Sequence, residues 1–147
     1  MELWRLFRRA HADLTGEGAH RVGGRWNNPG RPVVYLAEHP ALAALEVPVH
    51  LDVPFDLLPV DYVLMRVALP DALVTSLDVI PPATTAAGDV WLAGAQSAAL
   101  RVASVLIPHG WSVSLNPRHP DAKQARVITI EPFGLDPRLW EPLASEG

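Results

Sequence analysis

The chain has 147 residues, enough for one domain with a single sizeable core, and its 49% hydrophobic and 19% charged content is that of an ordinary globular protein. A formal net charge of −4 supplies no broad positive field for nucleic acid, so none is expected as a partner, although a local cationic pocket is compatible with it. The absence of cysteine excludes disulfide frameworks, thiol nucleophiles and cysteine-based zinc sites.

Fifteen prolines predict short elements joined by many turns. The opening "MELWRLFRRAHADL" lacks the apolar core and cleavage site of a secretory signal. No run of about 18 apolar residues marks a membrane span, so cytoplasm is the expected compartment and no membrane association is expected. "GGRWNNPG" (23–30) sets a permanent cation on a glycine hinge among flat and hydrogen-bonding groups, a composition suited to an anionic, planar ligand. "PVVYLAEH" (32–39) reads as a strand. "HPALAALEVPVHL" (39–51) reads as a helix that opens on Pro40 and is stopped by Pro48. "DYVLMRVALP" (61–70) predicts a buried strand, with "DALVTSLDVI" (71–80) as a possible pairing partner. "GDVWLAGAQSAA" (88–99) predicts a helix capped by Asp89. "LRVASVLIP" (100–108) predicts another strand. In "ARVITIEPF" (125–133), alternation sets Val127, Thr129 and Glu131 against Ile128 and Ile130. The expected fold is α+β: a single domain over residues 1–147, with a curved mixed sheet and a few short helices.

Several familiar chemistries fail on spacing. "GEGAHRVGGR" does not satisfy GxGxxG, and Gly18 and Gly23 are followed by Gly24 and Arg25 rather than the Lys and Ser/Thr of a triphosphatase loop. No GxSxG elbow occurs, and the six histidines form no HxxxH or HExxH pair, so a metal site is not expected. Arg25 can hold phosphate oxygens through two parallel hydrogen bonds, and Gly23 and Gly24 allow a ligand close to the backbone. A surface ion pair accounts for Arg25 as well. Tyr35 can be a core ring or can stack on a heterocycle. Glu46, closing the apolar "ALAALEVPV", either reaches solvent or forms a pocket wall where its carboxylate steadies developing positive charge. Ser104 reads as a strand hydroxyl bonded to backbone, Asn116 as the closer of an Asx-turn, and His119 as an exposed imidazole. Trp4, Trp111 and Trp140 are either interface anchors or core.

The order of these pieces carries more than any one of them. "GEGAHRVGGRWNNPGRPVVYLAEHPALAALE", then "VASVLIP", "SLNPRHP" and "DPRLW", resembles the RES-domain family, the toxins of Xre–RES toxin–antitoxin pairs, over nearly the whole chain. The name-giving arginine, glutamate and serine match Arg25, Glu46 and Ser104, and the family's pocket tyrosine matches Tyr35. Val102–Ala103–Ser104 departs from the family's usual Val-Pro-Ser, and "GWSVSLNP" departs from the segment that precedes Leu-Asn-Pro. The resemblance implies an ADP-ribosyltransferase-like fold and an enzyme with NAD+ as substrate. The nicotinamide–ribose bond would be cleaved by hydrolysis or phosphorolysis, or ADP-ribose transferred to a cellular protein. Arg25, Tyr35 and Glu46 would be catalytic, and Ser104 and Asn116 would join them in binding NAD+. A cognate Xre-like antitoxin is expected to cover the pocket. A non-catalytic partner-binding module is the alternative that the altered Val-Ala-Ser segment motivates.

Overall fold

The computed structural model describes residues 1–50 and 54–139. Trp140 and the end of the predicted 39–51 helix lie outside them. The elements are β1 (Glu2–Arg8), α1 (Glu17–Val22), β2 (Val34–Ala37), α2 (Pro40–His50), β3 (Tyr62–Ala68), β4 (Val74–Leu77), α3 (Thr84–Gly94), β5 (Ala99–Ala103), β6 (Trp111–Leu115) and β7 (Arg126–Pro132). The seven strands form one sheet in the order β4-β5-β6-β2-β1-β3-β7. β4 and β5 run parallel, while the other neighbours are antiparallel, giving the mixed sheet with few helices that the sequence predicts.

Several local expectations are corrected. β4 does not pair with β3; it lies at the far edge beside β5, reached through α3 as a β–α–β crossover. α3 begins at Thr84, so Asp89 sits in mid-helix and is not its cap, and the helix ends at Gly94 before a left-handed Ala95. α2 runs through Pro48 to His50; a proline so near the end removes a single i→i−4 bond, and the helix closes within the turn. The β7 alternation is broken by a register shift opposite Arg66 and Val67, which leaves Ile128 as the extra residue between Thr129 and Val127. β1, α1 and β6 are elements that the sequence reading did not assign.

Strand register sets what each sheet face carries, because directly opposed residues project to the same side. One face buries Leu3, Val34, Leu36, Met65, Val67, Ala99, Val113 and Leu115, the main core, closed over by Leu14, Ala122 and Ala125. The other face holds two smaller apolar patches. α2 lays Leu42, Ala43 and Val47 against Ala37, Leu6 and Leu64. At the other end, Trp26, Leu100 and Val102 pack with Leu77 of β4 and with Ala87 and Trp91 of α3.

Candidate functional site

Between those two patches, the second face turns polar. Tyr35 of β2 stands opposite Ser114 of β6, which in turn opposes Leu100, and one step along Ala37 opposes Ser112. Tyr35, Ser112 and Ser114 therefore share this face between the two patches, with Ser114 fully buried. Ser112 and Ser114 escaped the sequence reading. The period-2 pattern of "WSVSL" was the signal, with both serines on one side and Trp111, Val113 and Leu115 on the other.

The 23–30 loop borders Tyr35, and its residues divide by role. Trp26 and Asn27 are interior, at 3% and 1% exposure, so the flat and amide groups thought suited to a ligand largely build the loop itself. Asn27 Nδ2 donates to the carbonyls of Ala19 and Arg31 at 2.9 and 3.0 Å, and its Oδ1 accepts from Tyr35 Oη at 2.6 Å. The same hydroxyl accepts the Trp26 N–H at 2.9 Å. Gly23 adopts φ +77°, a left-handed turn that ends α1. A Cβ on Gly24 would lie 2.7 Å from the Tyr35 ring, so only glycine lets the loop rest on the phenol. Loop and ring are one unit.

Arg25 is exposed at the crest of that unit, and among the described residues its guanidinium makes no hydrogen bond or ion pair. Its charge acts on the Tyr35 hydroxyl nonetheless. Burial pushes that hydroxyl up to about 12; the hydrogen bond from Trp26 offsets part of the rise, Asp89 adds to it and Arg25 opposes it. Arg25, Tyr35 and Asp89 thus share one electrostatic neighbourhood. Asp89, from α3, accepts both the backbone N–H and the side-chain amide of Asn28, at 3.0 and 2.7 Å.

Glu46 lies on α2. At about 100° per residue it falls between Leu42 and Ala43, on the face that docks against the sheet. Those two neighbours are buried, whereas Glu46 is only half-buried.

The two remaining predicted residues are engaged with the scaffold. Ser104 sits just past the end of β5, not inside the strand, and its Oγ accepts the N–H groups of Leu106 and Ile107 at 3.1 and 3.2 Å. Asn116 is 2% exposed and does close an Asx-turn, its Oδ1 accepting from Arg118 N. Its Nδ2 donates to the Leu92 carbonyl at 3.2 Å, satisfying an acceptor that the end of α3 leaves open. His119 accepts from Asp121 N and caps a short 3₁₀ turn. Two shallow hollows of about 190 and 280 Å³ lie elsewhere, and neither is lined by Arg25, Tyr35 or Glu46. Among the described residues no cluster of three His, Asp or Glu could hold a metal ion, and no helix is long and apolar enough to cross a membrane.

Residues 2–136 match the RES domain. The chain belongs to the RES domain family. It is 40% identical to Toxin Res of Pseudomonas putida KT2440, across 95% of this chain and 100% of that protein. It is 34% identical to the Prs ADP-ribosylating toxin of Sphingobium sp. YBL2, across 86% of each. Its kinship within the RES domain family is thus with toxins. The fold is shared with a chain in the crystal structure of the M. tuberculosis MbcT–MbcA toxin–antitoxin complex, with a TM-score of 0.71 at 19% identity over 95% of this chain and 86% of that one.

Proposed function

We propose that this RES-domain protein is the toxin of a toxin–antitoxin pair and consumes NAD+ by cleaving its nicotinamide–ribose bond, through hydrolysis or phosphorolysis. The observation that carries the reading is the exposed Arg25, whose guanidinium makes no hydrogen bond or ion pair among the described residues, on a glycine-bounded loop that rests on the Tyr35 ring. The group fits the residue that faces solvent: exposed Arg25 supplies a planar fork for a pyrophosphate.

In this reading Arg25 binds the phosphates and Tyr35 offers its ring, not its hydroxyl, to the nicotinamide riboside. Glu46 steadies positive charge that develops on the ribose as the C–N bond breaks. Nicotinamide departs with the bonding electrons, and an oxygen of water or phosphate forms the new bond and loses its proton. A carboxylate that favours the cation-like state over the ground state raises the rate, and a leaving group this good needs no strong general acid. Ser104 shapes the rim of the pocket through the turn after β5, and Asn116 supports its floor by tying β6 to α3. Transfer of ADP-ribose to a cellular protein is the second reading, favoured by the name of the Sphingobium relative. The whole chain works as one cytoplasmic domain, restrained by an Xre-like antitoxin that covers the pocket.

The test is purified protein mixed with NAD+, with release of nicotinamide followed. Glu46→Ala is expected to fold and to lose at least a hundredfold in turnover. Unchanged NAD+ loss by that variant would remove Glu46 from the chemistry. A wild-type protein that releases no nicotinamide, yet still binds its antitoxin, would make it a binding module.

A further inference from the structure

Asp89 makes a pair of contacts that neither helix formation nor core packing requires. It lies in mid-helix, where an acid is ordinarily solvated, and yet it reaches across 61 positions of sequence to take both donors of Asn28. The preceding residue makes an equally close approach: a Cβ built on Gly88 would fall 1.7 Å from the Trp26 carbonyl oxygen, so helix backbone lies directly on loop backbone. Around Arg25 the loop is held by the Gly24–Asn27 bridge and by the Tyr35 hydroxyl on Trp26 N. Next along, exposed Asn28 donates its side-chain amide to Asp89.

We propose that Gly88 and Asp89 are the positioning residues of this site, clamping the 24–28 loop from α3 so that Arg25 is presented beside Tyr35 in one orientation. Gly88 sets the distance of approach, and Asp89 locks the register with two charge-assisted hydrogen bonds. The influence of Asp89 on the Tyr35 hydroxyl, opposite in sign to that of Arg25, fits a clamp that reaches the same small region. A cation held ready on a fixed loop need not be ordered when a dinucleotide binds, so the clamp acts chiefly on affinity. The consequence for turnover rests on the NAD+ reading above; the clamp itself rests on geometry alone.

The experiment uses the full chain with Asp89→Ala and the double exchange Asn28→Asp/Asp89→Asn, in which the amide oxygen at position 89 can accept the backbone N–H of position 28 and its Nδ2 can donate to the carboxylate moved there. Amide hydrogen exchange at Trp26 and Asn28, without nucleotide, is expected to accelerate at least tenfold in Asp89→Ala and to return within twofold of native in the double exchange. With NAD+, Asp89→Ala is expected to lose about tenfold in kcat/KM, mainly through KM, and the double exchange to recover most of it. Unaltered exchange in Asp89→Ala overturns the proposal, as does a double exchange that restores nothing. If Asp89→Ala does not fold but the double exchange does, with native protection of both amides, the clamp stands. If amide protection follows the expected pattern while even the native protein leaves NAD+ intact, the clamp stands and the NAD+ reading falls.

Discussion

The Tyr35 hydroxyl is committed before any ligand arrives, donating to Asn27 and accepting from Trp26. A phenol so engaged and half-buried resists ionising, which gives it a pH signature. With its folded value raised to about 12 against an ordinary 10, the folded state keeps the proton that the unfolded chain gives up. Its contribution to stability is therefore complete below pH 10 and is lost as pH rises from 10 towards 12, to a total of about 2–3 kcal/mol. Tyr35→Phe is expected to flatten that part of the stability curve in denaturant titrations at stepped pH. At neutral pH it is expected to cost about 1–3 kcal/mol, because Trp26 N–H and Asn27 Oδ1 lose their partner. An equal alkaline slope in both proteins would contradict the burial argument. At this scale Arg25 and Glu46 were legible as candidates because a cation on a glycine loop and an acid closing an apolar helix are unusual. Tyr35, ordinary in a strand, became one only through the order of motifs it shares with the family. That Trp26 and Asn27 serve the interior was not legible, since a tryptophan and an asparagine read alike whether they face a ligand or a carbonyl.

α3 is the element on which the site leans, and glycines along it make a controlled comparison. Gly88→Ala forces a methyl towards the Trp26 carbonyl, and neither backbone can yield without moving the loop. It is expected to destabilise by about 1–3 kcal/mol and to reduce NAD+ turnover at least tenfold. Gly94→Ala meets only Gln96 Cγ, at 3.9 Å, and is expected to be neutral or to stabilise by up to about 1 kcal/mol with turnover intact. Thermal unfolding and nicotinamide release read both; equal effects from the two would show that helix content, not contact with the loop, is at stake. The sequence placed a helix here but misread its start, taking Asp89 for a cap because an acid before an apolar run resembles one. Its partner, Asn28, is too distant in sequence to be seen. β1 was missed for a related reason: its arginines suggest a surface segment, yet Arg5 lies over Phe7 at 4.0 Å and strand neighbours cover the chain on both sides.

Across the whole molecule, the seven-stranded sheet separates a main core on one face from a two-patch face on the other. The acceptor of ADP-ribose separates the two readings of the proposed function. A hydrolase or phosphorylase is expected to yield free sugar products, with the phosphorylated form rising when inorganic phosphate is added, as read by mass spectrometry. ADP-ribose recovered only on protein would select the transferase reading. The sequence by itself determined the mixed α+β class, the buried strands and the family, because apolar periodicity and an ordered run of unusual residues are properties of the chain alone. Only the tertiary structure decided that β4 joins β5 across α3, that Ser112 and Ser114 stand beside Tyr35, and that Asp89 holds the Arg25 loop. Those are contacts between distant segments, fixed by which faces must be buried together, and no local pattern encodes them.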